Sequence, residues 1–279
     1  MKEAIHKLTP EELKRIQRIS LEMLIEIDRI CRKHDIVYEI DSGTLLGALR
    51  YKGFIPWDDD VDIRMLRDDY DRFCKACETD LDTDRFFLQN YHTDPNYRWG
   101  YAKLLRKGTD FRREGQEMLK MQRGVFLDIF NCENMPEKGI KKAIYNFESF
   151  IVRKVSYAPV GARNDKNPLR RGIYKLLEKI PLSFVRNGFD HLAYQYNDKK
   201  TKLIRTPGWY WKQEAQGYLR VWMDERIELE FEGHMFMAPK DYDGYLTMLY
   251  DENYMTPPPE EKRVPGNTAV YVDLGDCGL

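Results

Sequence analysis

The segment Trp57-Asp58-Asp59-Asp60-Val61-Asp62-Ile63 sets four carboxylates in five positions between apolar neighbours. Like charges crowded in this way cost stability unless cations neutralise them. With Asp60-Val61-Asp62-Ile63 read as a strand, Asp60 and Asp62 point to one face, and Val61 and Ile63 to the other. Two carboxylates about 7 Å apart along a strand can converge on one divalent cation. Their hard oxygen donors suit Mg²⁺ or Mn²⁺. An EF-hand loop starting at Asp58 fails, because Ile63 would stand where glycine is required and Asp69 where the bidentate glutamate belongs. A solvated acidic turn sits poorly beside Phe54-Ile55-Pro56-Trp57, which belongs near a core. The cluster therefore reads as a metal site, with Trp57, Asp58 and Asp59 in support.

Two neighbouring segments extend the site. Val125-Phe126-Leu127-Asp128-Ile129-Phe130 reads as a strand whose aspartate is costly unless it meets a cation. If it lies beside Asp60 and Asp62, the three acids can hold two metals, or one metal and a substrate hydroxyl. Upstream, Ser42-Gly43-Thr44 forms a small turn where a strand gives way to a helix, and such a turn offers backbone N–H groups to an anion. Followed by the Asp-x-Asp pattern, it reads as a phosphate held opposite its metal.

Around this centre the first half alternates helix and strand. Thr9-Pro10-Glu11-Glu12 combines an N-cap, a first-turn proline and a capping-box glutamate. Leu13, Ile16, Met23, Leu24, Ile27, Ile30 and Cys31 continue at helical spacing, predicting a helix to about His34. Ile36–Ile40 reads as a strand, 45–50 as a short helix, the stretch around Cys74 as a helix, and Tyr101–Leu105 as a strand. In the second half, Lys141–Ser156, Leu169–Ile180 and Asn187–Leu203 read as helices, broken at Gly161, Pro168, Pro181 and Pro207. Ile227–Phe231 and Met235–Met237 flank Glu232-Gly233-His234 as a hairpin, and Pro239–Tyr250 closes as a helix. The expected class is α+β: a small mixed sheet flanked by helices, then a largely helical half with a hairpin. Residues 1–135 would form the catalytic core and 136–279 a mostly helical substrate-binding portion able to share that core.

The chain has 279 residues, 42% hydrophobic, which excludes a disordered polymer. No run of apolar residues is long enough to span a membrane, and the N-terminus lacks a signal-peptide core, so a cytoplasmic location is expected. The net charge of −1 argues against a nucleic-acid partner, yet it conceals a gradient. Residues 163–205 hold 11 basic and 4 acidic side chains, and residues 206–279 hold 6 and 14. In the basic stretch, Arg170, Arg171, Lys175 and Lys179, with Leu176, Leu177 and Ile180, suit peripheral contact with an anionic membrane surface. The five cysteines are irregularly spaced. Cys74 and Cys77 share a helix face with Tyr70 and Phe73, so buried thiols are expected rather than zinc or redox chemistry.

The block Asp41-Ser42-Gly43-Thr44-Leu45-Leu46-Gly47-Ala48-Leu49-Arg50-Tyr51-Lys52-Gly53-Phe54-Ile55-Pro56-Trp57-Asp58-Asp59-Asp60-Val61-Asp62-Ile63 resembles the signature of the LicD family. These are phosphocholine transferases of bacterial surface glycans, related to fukutin and fukutin-related protein. The likeness extends to Tyr101-Ala102-Lys103-Leu104, to 124–130, to Phe231-Glu232-Gly233 and to 250–263. It implies a nucleotidyltransferase-like fold with Asp60, Asp62 and Asp128 as metal ligands and catalytic residues. It further implies transfer of a phospho-alcohol from a CDP-linked donor such as CDP-choline to a glycan or teichoic-acid-precursor hydroxyl, releasing CMP. Arg50 and Lys103 are then candidates to grip phosphates beside Ser42, Gly43 and Thr44, unless they pair Asp58 or Asp59. Trp209, Tyr210, Trp211, Tyr218 and Trp222 could cage a choline, although core packing is the more ordinary role for most such residues. The chain departs from the family after Arg263, where Val264-Pro265-Gly266-Asn267 brings no histidine, and after Phe130, where Asn131-Cys132 replaces a common proline. Nucleotidyl transfer from a nucleoside triphosphate is the alternative reaction, and a non-catalytic glycan- or lipid-surface binding protein the alternative class.

Overall fold

The structure, a computed structural model, describes residues 4–208 and 216–277. The Thr9–Glu12 capping box closes in both directions and starts α1 (Pro10–Lys33). There follow β1 (Glu39–Ile40), α2 (Ser42–Tyr51), β2 (Asp62–Leu66), α3 (Arg67–Asp80), β3 (Phe86–Gln89), β4 (Ala102–Arg106), β5 (Asp110–Arg113) and β6 (Phe126–Met135). The later elements are α4 (Gly139–Asn164), α5 (Pro168–Leu177), α6 (Leu182–Tyr194), β7 (Leu203–Arg205), β8 (Tyr218–Leu219), β9 (Arg226–Phe231), β10 (His234–Pro239), α7 (Tyr242–Tyr250) and β11 (Ala269–Asp273).

Strand order in the main sheet is β1-β2-β6-β4-β3, with β7 on the far end of β6 and β8 beside β7. β2 and β6 run parallel while β1, β3, β4 and β7 join antiparallel, giving the mixed sheet expected. β6 is buried along all of its residues, as a strand covered on both faces must be. Two further ribbons lie among the described residues: the expected hairpin β9–β10, and β5 paired with β11.

Several expectations change. β2 begins at Asp62 rather than Asp60, so Asp60 belongs to the loop and not to an alternating strand. α2 begins at Ser42, so the expected turn is the first turn of the helix. α4 runs on through Pro159 and through Gly161, which was expected to break it. Gly161 serves packing instead: a Cβ there would lie 2.4 Å from the Tyr174 ring of α5. Cys74 and Cys77 lie on α3, as expected, as free thiols. Burial raises Cys74 to about 11 and Cys77 further still.

One core cluster gathers residues from Ile16 of α1 to Leu274 beyond β11, and a second joins Tyr91, Tyr97 and Met135 to α4 and α6. Inside the first lies a buried polar knot. Arg64 of β2 donates to Glu39 of β1 at 3.1 Å and lies 3.7 Å from Asp41. Its guanidinium packs over Tyr245 of α7, 3.8 Å from the ring centroid, and Tyr245 donates to Asp41 at 2.6 Å. Asp41 in turn caps α2 by accepting from Ser42 N–H at 2.8 Å. This knot fixes the N-terminus of α2 against the edge of the sheet, where the acidic loop crosses.

Candidate active site

Strand register builds the acidic centre. The parallel pairing of β2 with β6 sets Asp62 opposite Asp128, and the antiparallel pairing of β4 with β6 sets Lys103 opposite Asp128. Thr44 Oγ1 accepts from Asp62 N–H at 2.9 Å, tying the first turn of α2 to the start of β2. Asp58, Asp60, Asp62 and Asp128 then open onto one cleft of about 690 Å³. Ser42, Gly43 and Arg50 of α2 line its side, and Trp57, Tyr250, Tyr254 and Asn267 border it.

The tightest acidic group among the described residues is Asp58, Asp59 and Asp60, with one ligand oxygen from each lying within 4.8 Å of the others. Burial raises the Asp58 carboxyl well above its usual range, and repulsion from Asp60 and Asp59 adds to it. Asp62 is raised well above its range by burial and then by Asp60 and Asp128. Asp59 is pushed up to about 7 by burial and by Asp60, with Asn267 pulling the other way. Its Oδ2 is buried with no hydrogen-bond partner. An all-oxygen donor set, mutually repelled and holding one orphaned buried carboxylate oxygen, fits a hard divalent cation.

The residues expected at the phosphate divide. Ser42 and Gly43 reach the cleft, and Ser42 holds a left-handed φ of 45° at the start of α2. Gly43 lets Asp58 approach the helix N-terminus, since a Cβ there would sit 2.7 Å from Asp58 Oδ2. Thr44 is buried and engaged with Asp62. Arg50 lines the cleft, donates to Thr256 O at 3.1 Å, and keeps a buried Nε without a partner. Lys103 does not line the cleft: register gives its ammonium to Asp128, in a pair buried on both sides. Burial lowers Lys103 to about 8 against the opposing pull of Asp128. Of the expected aromatic cage, Trp209, Tyr210 and Trp211 lie outside the described residues. Tyr218 and Trp222 are core residues. Tyr218 packs 5.5 Å from Arg64 and meets Cys132 Sγ at 2.6 Å, while the Trp222 ring lies edge-on to Tyr245 at 5.9 Å.

Two residues of the site escaped the sequence reading. Arg113, on β5, opens into the cleft facing the acids. Burial disfavours its charge, but Tyr101, Asp128, Asp60 and Asp59 outweigh burial and hold it above its usual value. Asn267 donates from Nδ2 to Asp60 Oδ2 at 2.7 Å and from its backbone N–H to Asp59 Oδ1 at 3.1 Å. The stretch after Arg263, without a histidine, thus closes over the acidic loop through an asparagine. Arg263 itself packs over Trp57, 5.3 Å from the ring centroid. The available signal was the Pro265-Gly266-Asn267 turn followed by the alternating Ala269-Val270-Tyr271-Val272.

Residues 35–161 match the model of the LicD/FKTN/FKRP nucleotidyltransferase domain, a span holding Asp58–Asp62, Arg113 and Asp128. The chain is 28% identical over 268 residues to the lipopolysaccharide cholinephosphotransferase LicD of Haemophilus influenzae, covering 91% of this chain and 95% of that protein. It is 40% identical over 189 residues to an uncharacterized protein of Rickettsia prowazekii, covering 67% of this chain and 65% of that one.

Proposed function

Because residues 35–161 belong to the LicD/FKTN/FKRP nucleotidyltransferase domain family, we propose that this chain is a metal-dependent phosphotransferase. It moves a phospho-alcohol, phosphocholine or a similar group, from a CDP-linked donor to a hydroxyl of a cell-surface glycan or its precursor. The observation that carries this reading is the opening of Asp60, Asp62, Asp128 and Arg113 onto one cleft. Carboxylates and a fixed guanidinium facing the same space suit a diphosphate and its counter-ion.

Asp60, Asp62 and Asp128 would hold Mg²⁺ or Mn²⁺, with Asp58 and Asp59 in support. Bound there, such an ion would supply positive charge to offset that of a diphosphate and of the departing nucleotide. Arg113 and Arg50 grip phosphate oxygens as permanent cations. Asp128, oriented by Lys103, receives the acceptor hydroxyl's proton. The acceptor oxygen forms a bond to the phosphorus that bears the alcohol; the bond from that phosphorus to the bridging oxygen breaks, and CMP leaves. Trp57, Tyr250 and Tyr254 are the cleft's aromatic faces for a quaternary ammonium. Trp57 already takes one cation, the Arg263 guanidinium.

Incubation with CDP-choline, CDP-ribitol and CDP-glycerol in Mg²⁺ or Mn²⁺ tests the reading through CMP release and transfer to purified surface glycan. Pyrophosphate release from CTP, with no CMP from any CDP-alcohol, would instead assign nucleotidyl transfer.

A further inference from the structure

An amphipathic helix on a globular protein ordinarily turns its apolar stripe inward. α5 does the reverse. Leu169, Ile173 and Leu176 recur at i, i+4 and i+7, yet they are 74%, 50% and 66% exposed. Tyr174 is the buried residue of this helix, seated against Gly161 of α4. α4 repeats the pattern at its start, where Ile140, Ile144 and Phe147 share the same spacing and are also at least half exposed. None of these residues lines the acidic cleft.

Charge identifies the occupant. Glu178 is taken by Arg163 at 2.7 Å and Asp165 by Arg170 at 3.2 Å. That leaves Arg171 and Lys175 of α5, and Lys179 just beyond it, without an ion pair among the described residues. A second copy of this chain would bring the same cations against the same stripe. An anionic bilayer answers both features, because its acyl boundary accepts the apolar side chains while its phosphates meet the cations.

We propose that the outward stripe of α5, with the exposed start of α4, docks this protein on the surface of an anionic phospholipid membrane. The contact is interfacial, since no helix among the described residues is long and apolar enough to cross a bilayer. The assigned stripe, Leu169–Ile173–Leu176, differs from the Leu176–Leu177–Ile180 set suggested by sequence, because Leu177 and Ile180 pack against the second core cluster.

Co-sedimentation of the full chain with phosphatidylglycerol-containing vesicles, and with pure phosphatidylcholine vesicles, tests this directly. Binding is expected to the anionic vesicles alone and to weaken as salt is raised. Leu169→Ser/Ile173→Ser/Leu176→Ser and Arg171→Glu/Lys175→Glu/Lys179→Glu should each lower vesicle affinity about tenfold or more. Both should keep the wild-type melting temperature, because the altered side chains are exposed. Absence of binding to anionic vesicles at low salt would overturn the proposal, as would equal binding by wild type and both variants. So would sedimentation velocity showing a dimer that the triple serine variant dissolves. CMP release without a membrane acceptor should not change in either variant, which separates failure of docking from failure of the transfer reaction.

Discussion

At the residue scale, Asp62 is where stability and activity should part. Burial and the charges of Asp60 and Asp128 hold its carboxyl well above the usual range, so its ionised form is a burden when no cation answers it. Asp62→Asn should therefore raise the melting temperature in EDTA by a few degrees, about 1 kcal/mol for a domain of this size. The same variant should cut CMP release at least 10²-fold, about 2.7 kcal/mol. Calorimetry and a CMP assay check both, and a fall in metal-free stability would count against repulsion among the acids. Asn267 acts differently, because it donates to Asp60 and Asp59 and so sets where their oxygens point. Asn267→Ala should raise the Mg²⁺ concentration needed for half-maximal activity several-fold, whereas a purely structural role would lower stability and leave that concentration unchanged.

At the scale of elements, the site depends on how β1, β2, α2 and α7 are locked by Arg64. Removing one partner of a buried ion pair leaves an uncompensated charge, so Arg64→Leu should destabilise the fold by roughly 3–5 kcal/mol in urea denaturation. Glu39 gives the same knot a pH signature. Burial raises its carboxyl to about 7 against the pull of Arg64. The folded chain then binds a proton that the unfolded chain has released, so stability falls as pH rises from the usual glutamate range near 4.5 through about 7. Glu39→Gln should flatten that slope in urea midpoints taken at pH 5 and pH 8, and an unchanged slope would clear Glu39 of the effect. The hairpin has its own hold on the acidic loop. Glu232, at the β9–β10 turn, accepts from Phe54 N–H at 3.0 Å, and Phe231 meets Phe54 edge-on at 4.8 Å. Phe231 and Glu232 thus brace the segment entering Trp57–Asp62.

At the scale of the whole molecule, what could be read from the sequence was local, and what could not depends on distant pairing. The Thr9–Glu12 cap, the hairpin and the acidic run announce themselves within a few residues. The pairing of Lys103 with Asp128 does not, because only the register of β4 on β6 creates it. β5 carries one apolar residue in Asp110-Phe111-Arg112-Arg113, too little alternation to mark a strand. Its partner β11 is far along the chain, so Arg113 was missed with its strand and Asn267 with its turn. That ribbon makes the chain's end part of the site. β11 pairs with the strand that holds Arg113, Ala269 bridges to His6, and Gly275 O accepts from Arg15 at 2.8 Å. Deleting 264–279 should therefore cost more than losing Asn267 alone, since it releases β5 and Arg113 as well as the donor to Asp60. The truncated chain should keep its helical circular dichroism, because α4 packs on α5 and α6, and α6 packs on β6. Its CMP release should fall at least tenfold below that of Asn267→Ala, and limited proteolysis should cut near Arg112 and Arg113. If the truncated chain matches Asn267→Ala in activity, β11 contributes no positioning beyond that one side chain, and Arg113 is held by β5 alone.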